Sequence, residues 1–148
     1  MQKIAIGADH RGFGLKENLK KVLSSSYEVT DIGTNSTEPV DYPDISSAVA
    51  KLVLSGECEK GICLCGSGVG ASVAANKFKG IRAGMCHDTF SAHQGVEDDA
   101  MNILCLGSGV VGESLAIDII STFLKAKFKG EERFKRRLDK VKKIEDEN

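Results

Sequence analysis

The sequence predicts an α/β fold: a single doubly wound, Rossmann-like domain with a five-stranded parallel sheet and a C-terminal helix. Three observations carry this. Short β-rich runs alternate with segments of helical periodicity, several of the runs are strongly apolar, and glycine-rich turns follow two of them directly. The strand runs are Lys3 to Gly7, Glu28 to Ile32, Gly61 to Leu64, Arg82 to Cys86 and Asn102 to Leu106. Alternation of strand and helix calls for crossover connections and a sheet covered on both faces. Ligands of such sheets bind beyond the strand carboxyl ends, which here gathers Asp9, His10, Cys65 to Ser67, His87 and the Gly107 turn on one edge. Spacing leaves the strand order open.

The helices follow in turn. Leu15 to Leu23 sets Leu15, Leu19, Val22 and Leu23 on one face, and Ile45 to Val53 does so with Ile45, Ala48, Val49, Leu52 and Val53. Val69 to Phe78 and Ser91 to Glu97 are shorter segments, and Val111 to Leu124 is a more apolar one. After the polar stretch Lys125 to Gly130, a final helix over about 131–145 places Phe134, Leu138, Val141 and Ile144 together, with Arg133 and Arg137 one turn apart on another side. Ten of the twenty basic residues lie between Lys125 and Lys143, so most of them read as a solvated face.

Composition narrows the classes. A chain of 148 residues, 41% hydrophobic, fits one domain over 1–148 with a substantial core. A net charge of -1 argues against a nucleic-acid surface and leaves electrostatic function to local clusters. Neither an apolar run of membrane-spanning length nor a charged-then-apolar leader is evident, so a soluble, unexported protein is expected. Cys58, Cys63, Cys65, Cys86 and Cys105 form an odd set placed mostly in strand-like runs. A reducing cytoplasm suits them better than a disulfide framework. Cys63 and Cys65 have no second ligand pair for structural zinc, and no metal is expected.

Chemistry concentrates between Gly61 and Lys77, where a strand runs into a glycine-rich turn opening a helix, with Cys65 at the junction. Backbone N–H groups of Gly66, Gly68, Val69 and Gly70 can converge there, and a helix N-terminus adds partial positive charge. Such a loop favours a thiolate and can hold an enediolate or phosphate oxygen. A cysteine in a strand is more often a small buried hydrophobe; the adjoining glycine loop tips Cys65 toward chemistry. Gly107 to Gly112 also matches the Gly-x-Gly-x-x-Gly dinucleotide pattern. It follows the last strand rather than the first, and the acidic residue expected about twenty positions on falls in a lysine-rich stretch, so no cofactor is expected.

Cys65-Gly66-Ser67-Gly68-Val69-Gly70, followed by Ala74-Ala75-Asn76-Lys77, closely resembles the ribose-5-phosphate isomerase B and galactose-6-phosphate isomerase family. The resemblance covers nearly the whole chain, through Gly7 to His10, Val40 to Pro43, Gly80 to Ala83, Asn102 to Leu104, and the pair Arg133 and Arg137. It implies a cofactor-free aldose–ketose isomerase acting through an enediolate on a small sugar phosphate, ribose 5-phosphate first. The family's base is either this cysteine or a glutamate six positions later; position 71 is Ala71, leaving Cys65. Ser67 stands for the usual threonine and keeps a hydroxyl that can relay a proton or bind a substrate oxygen. By the same correspondence Asp9, His10, Tyr42, Asp99, Arg133 and Arg137 are substrate-binding candidates. A homodimer or dimer of dimers is implied, with the arginine helix reaching a neighbour's site. No membrane or nucleic-acid partner is.

Two departures from the family pattern matter. The histidine assigned to ring opening is Asp98 here, so either His93 substitutes or the substrate has no ring to open. A tetrose 4-phosphate such as erythrulose 4-phosphate fits the second case, because its esterified O4 cannot close a furanose. A phosphate-holding arginine is replaced by Gly109, for which Arg11 is the candidate substitute, unless it is a plain loop charge. A phosphosugar-binding module without turnover is the remaining alternative, and retention of Cys65 counts against it.

Overall fold

The computed structural model describes residues 1–148. Its elements are β1 (Gln2–Ala8), α1 (Phe13–Leu23), β2 (Tyr27–Asp31), α2 (Tyr42–Ser55), β3 (Lys60–Cys65), α3 (Val69–Ala75), β4 (Ala83–Met85), α4 (Thr89–Asp99), β5 (Ile103–Gly107), α5 (Glu113–Lys125) and α6 (Glu132–Asp146). All five expected strands form, and they pair in parallel in the order β2-β1-β3-β5-β4. β4 has only three residues and takes an edge with Met85 exposed, while apolar β3 and β5 lie inside. No helix is long and apolar enough to cross a membrane.

Strand side chains alternate between two cores, as the pleat requires. Ile4, Ile6, Ile62, Leu64, Leu104 and Leu106 meet Leu19 of α1, Val96 of α4 and Ile119, Ile120 and Phe123 of α5. Ala5, Cys63, Cys65, Ile103 and Cys105 meet Val49 and Ala50 of α2 and Ala71 and Ala75 of α3. The smaller residues face α2 and α3 and let them sit close to the sheet. Cys65 therefore projects on the α2/α3 face at the end of its strand.

Several helix faces differ from the periodic reading. Val22 is 42% exposed because α1 buries Lys16 with Leu19 and Leu23. In α2 the buried positions are Ser46, Val49 and Ala50. The Ser46 hydroxyl donates to the Ala71 carbonyl at 3.1 Å, tying α2 to α3. α3 stops at Ala75 rather than Phe78, because the Asn76 side chain turns to bond Ala83 through both its amide groups, at 2.9 and 2.8 Å. On α6 only Phe134 is buried; Val141 and Ile144 stand exposed.

Lys16 is fully buried, and its Nζ reaches both oxygens of Asp31 at 2.8 and 2.7 Å. Asp31 also accepts from Lys20 Nζ at 2.6 Å and from the Gly33 N–H at 2.9 Å. Burial pushes the Asp31 carboxyl up, but these donors outweigh it and hold the group below its ordinary value. The cluster fastens α1 to the end of β2.

α4 begins at Asp88, whose side chain accepts from the Ser91 N–H at 2.6 Å. It ends at Ala100 in the left-handed region, φ 51° and ψ 41°. That conformation costs a residue with a Cβ about 1 kcal/mol. Ala100→Gly is therefore expected to raise stability by about 0.5–1 kcal/mol, read as a higher urea midpoint with an unchanged slope. A lower midpoint would show that the alanine methyl contributes packing that outweighs the strain.

Candidate active site

The sheet order sets the site. β2 lies on one side of β1 and β3 on the other, so the chains leaving β1 and β3 diverge and open a crevice at their carboxyl ends. In register, Ala8 lies beside Leu64 and Cys65 beside Gly107. The turns after β1, β3 and β5 are consequently neighbours. Ser108 ties all three together: its N–H donates to the Cys65 carbonyl at 2.8 Å and its hydroxyl to the Arg11 carbonyl at 2.8 Å. The Gly109 N–H donates to the Gly66 carbonyl at 3.0 Å.

Cys65 lies at the junction with 5% of its surface exposed, and the Gly68 N–H donates to its Sγ at 3.1 Å. This contact needs the left-handed turn at Gly68, φ 81°, which swings the amide back over the strand end. α3 is only seven residues long, so its dipole is short and the individual N–H groups carry the local positive potential. Ser67 is exposed, and its Oγ accepts from the Val69 N–H at 3.2 Å, one residue ahead of the cap position that Gly68 occupies.

The other thiols are placed differently. Burial pushes Cys86 up to about 11 and raises Cys58, while a hydrogen bond with Cys63, together with burial, raises Cys105 well above its ordinary value. All five cysteines are free and buried. Only Cys65 combines a place at the sheet's carboxyl edge with an amide donor on sulfur.

Asp9 is 6% exposed, and its Oδ1 accepts from the N–H groups of Arg11 at 2.9 Å and Gly12 at 3.1 Å. It shapes the turn that presents His10. His10 accepts at Nδ1 from the Val40 N–H, 3.2 Å, which leaves Nε2 unengaged. Tyr42 opens α2 and is 40% exposed rather than buried. Its ring lies so close to Gly70 that a Cβ there would come within 2.7 Å of it. Thus Tyr42, Gly70, Cys65, Ser67 and His10 belong to one shelf.

His93 and Asp98 are engaged along α4: the His93 Nδ1 pairs with Glu97, and Asp98 accepts from Gln94 Nε2 at 2.7 Å. Glu97 is held below its ordinary value by that histidine hydrogen bond. Asp99 is exposed at the end of the same helix. None of these three side chains bonds to the Cys65 loop. Arg133 pairs with Glu131 at 3.2 Å and stacks on Phe134, far along the chain from the shelf. α6 packs against α4 and the Lys79–Arg82 turn, and Glu145 accepts from the Gly80 N–H at 3.1 Å. That turn precedes β4, at the sheet's amino edge. Within one chain, therefore, Arg133 and Arg137 are not brought to Cys65. A cleft of about 660 Å³ lies along α6, between Asn76–Ala83 and Val141–Asn148.

Two residues outside the candidate set shape the edge. His87 Nε2 accepts from the Gly107 N–H at 2.9 Å, fixing the imidazole beside the loop; its place after β4 was the available signal. Ser108 laces the three turns together, and only the Gly107-Ser108-Gly109 turn hinted at it. Asn76 and Asn102, within motifs, instead clamp the ends of β4.

This shelf of a thiol, a hydroxyl, an imidazole and converging amides is the equipment of an enzyme that moves protons on a small anionic substrate. The family model described as Ribose/Galactose Isomerase matches residues 4–141, and the chain belongs to that family. It is, by class, a sugar-phosphate isomerase. It is 44% identical over 146 residues to ribose-5-phosphate isomerase B of Escherichia coli strain K12, covering 98% of this chain and 97% of that one. It is 39% identical to D-erythrulose-4-phosphate isomerase of Pectobacterium atrosepticum, covering 88% and 87%. The solved structure of Clostridium thermocellum ribose-5-phosphate isomerase B superposes with a TM-score of 0.96 at 48% identity, covering 99% of each chain.

Proposed function

We infer that the chain interconverts ribose 5-phosphate and ribulose 5-phosphate through an enediolate, with Cys65 as the base. The observation that carries this is the Gly68 N–H on the Cys65 sulfur at the carboxyl end of β3, beside Ser67 and His10. The Cys65 thiolate takes the proton from C2 of the aldose, the C2 electron pair forms the C1–C2 double bond, and negative charge develops on O1. Loop N–H groups between Gly66 and Gly70 other than those already given to Cys65 Sγ and Ser67 Oγ meet that charge. Ser67 Oγ relays the O2 proton to O1, the thiol returns its proton to C1, and the carbonyl now lies at C2. His10 Nε2, with Tyr42 over the sugar, orients the substrate.

A second reading has a specific observation behind it. The α4 residue at the family's ring-opening position is Asp98, bonded to Gln94, and His93 is paired through Nδ1 with Glu97 on its own helix rather than with the Cys65 loop. This favours a substrate without a ring, such as erythrulose 4-phosphate. Separate incubations with the two sugar phosphates, following the partner isomer by NMR, decide between them. Turnover of ribose 5-phosphate supports the first reading, turnover of the tetrulose phosphate alone supports the second, and no turnover of either removes both.

The placement of α6 supports a shared site. Arg133 and Arg137 stand one turn apart, a spacing suited to gripping one phosphate with two guanidinium forks. Val141 and Ile144, exposed rather than packed with Phe134, follow Arg137 by four and seven residues and so continue the arginine face, giving the helix an apolar stripe to bury against a second copy. Removing the chain from Glu131 onward is expected to shift the protein to a smaller species by sedimentation and to raise KM at least tenfold. Unchanged association and KM would rule out α6 as the shared element.

A further inference from the structure

The Arg11 guanidinium lies flat on the glycine loop. A Cβ built on Gly66 would fall 2.4 Å from both the Arg11 Cζ and Nη1. The same guanidinium points at the next turn, where a Cβ on Gly109 would lie 3.8 Å from Nη2. Its backbone is held on both sides: the Arg11 N–H donates to Asp9 Oδ1 at 2.9 Å and its carbonyl accepts from the Ser108 hydroxyl at 2.8 Å. Yet the guanidinium itself makes no ion pair and no hydrogen bond: the salt bridges of the β1–α1 region run among Lys16, Lys20, Glu17 and Asp31. The nearest carboxylate in sequence, Asp9, is buried and already engaged.

A guanidinium fixed over the loop that follows the base, next to His10 and lacking any anion of its own, is an open bidentate donor for a tetrahedral oxyanion. We propose that Arg11 is the in-chain clamp for the substrate's phosphate, and that Gly109 is side-chain-free so that this clamp has room. The β1 turn, rather than the β5 turn, then supplies the cation at the crevice. Two features agree with that exchange. Gly109 is exposed, and a Cβ on it would meet the Gly66 carbonyl oxygen at 3.0 Å and lie 3.8 Å from Nη2, so a long side chain there would crowd the guanidinium as well as the loop beneath it. Gly66 is buried under Arg11, which places the positive charge within one residue of Cys65. The proposal rests on the sugar-phosphate reading above for the identity of the substrate, but the anion site itself does not.

The test uses the full-length protein, with inorganic phosphate as the probe alongside the sugar phosphate it turns over. Arg11→Ala and Arg11→Met are expected to raise KM and the inhibition constant of inorganic phosphate about tenfold or more, with kcat changed far less and the melting temperature held. Arg11→Lys should lose part of this, because an ammonium cannot grip two oxygens in one plane. Gly109→Arg alone should impair the enzyme through crowding and like charge, whereas Gly109→Arg combined with Arg11→Ala should recover part of the lost phosphate affinity. Unchanged phosphate inhibition in both Arg11→Ala and Arg11→Met would overturn the proposal. So would a Gly109→Arg effect that is the same with and without Arg11. If the wild type turned over no sugar phosphate, thermal stabilisation by phosphate in wild type but not in Arg11→Met would still support the clamp, and its absence from both would overturn it. A failure of the isomerase reading is thereby told apart from a failure of this one.

Discussion

Cys65→Ala is expected to lower kcat about 10²- to 10⁴-fold, the usual worth of a positioned general base. The fold should survive, since the substitution removes one sulfur from a site where Ala71 and Ala75 already pack, at a cost of about 1 kcal/mol. KM should change little, because the anion contacts are made by other residues. Cys63→Ala provides the contrast. Cys63 is equally buried and only two residues away, but lies one turn of the pleat back from the edge, hydrogen-bonded with Cys105. Loss of activity in Cys65→Ala with retention in Cys63→Ala assigns the chemistry to the edge position. Comparable activity in both variants would return Cys65 to the core.

Asp31→Asn is expected to cost about 3 kcal/mol of stability. Lys16 is fully buried, and removing the charge opposite it leaves an ammonium in the core with only Glu17, at 3.3 Å, as a remaining anion. Unfolding in urea reads this directly. The pH dependence has a fixed sign: the folded Asp31 group is held below its ordinary value, so its stabilisation is present above the unfolded pKa and disappears as pH falls through the folded one. The gap between wild type and Asp31→Asn should therefore be full at pH 7 and shrink below about pH 4. A gap that stays constant down to pH 2 would mean that the carboxylate's charge contributes nothing. The loop from Gly33 leaves this cluster toward Val40 and His10, so the variant is also expected to loosen the shelf.

Strands and helix positions were legible because burial on two faces leaves near-continuous apolar runs, and Ile62 to Cys65 can hardly be anything else. The order of the strands was not, because β1, β3 and β5 carry similar sequences and pair by shape and packing. The junction of strand and glycine turn drew attention to Cys65, whereas Ser67 was picked out by its place in the family motif. The positions of Arg133 and Arg137 relative to Cys65 could not be read, since a helix's periodicity reveals its faces but not its place, and α6 docks at the amino edge. Nothing in the sequence sets Lys16 apart from the other lysines of α1; its burial depends on Asp31, which β2 delivers from fifteen residues away. Likewise Arg11 read as either loop charge or ligand, and its contact with Gly66 is a long-range packing that spacing does not reveal. Long-range pairings of charge and backbone are what a linear pattern does not encode.

Proton transfer by Cys65 on a sugar phosphate must exchange the transferred proton with solvent, so isotope wash-in reads it. The wild-type protein, incubated in deuterated water with whichever sugar phosphate it turns over, should place deuterium on the carbon that exchanges its proton, seen as loss of that proton's NMR signal. Cys65→Ser, with an unchanged melting temperature, should show no wash-in over the same period. Wash-in by Cys65→Ser at the wild-type rate would exclude Cys65 as the base, because the proton would then be moving through another group.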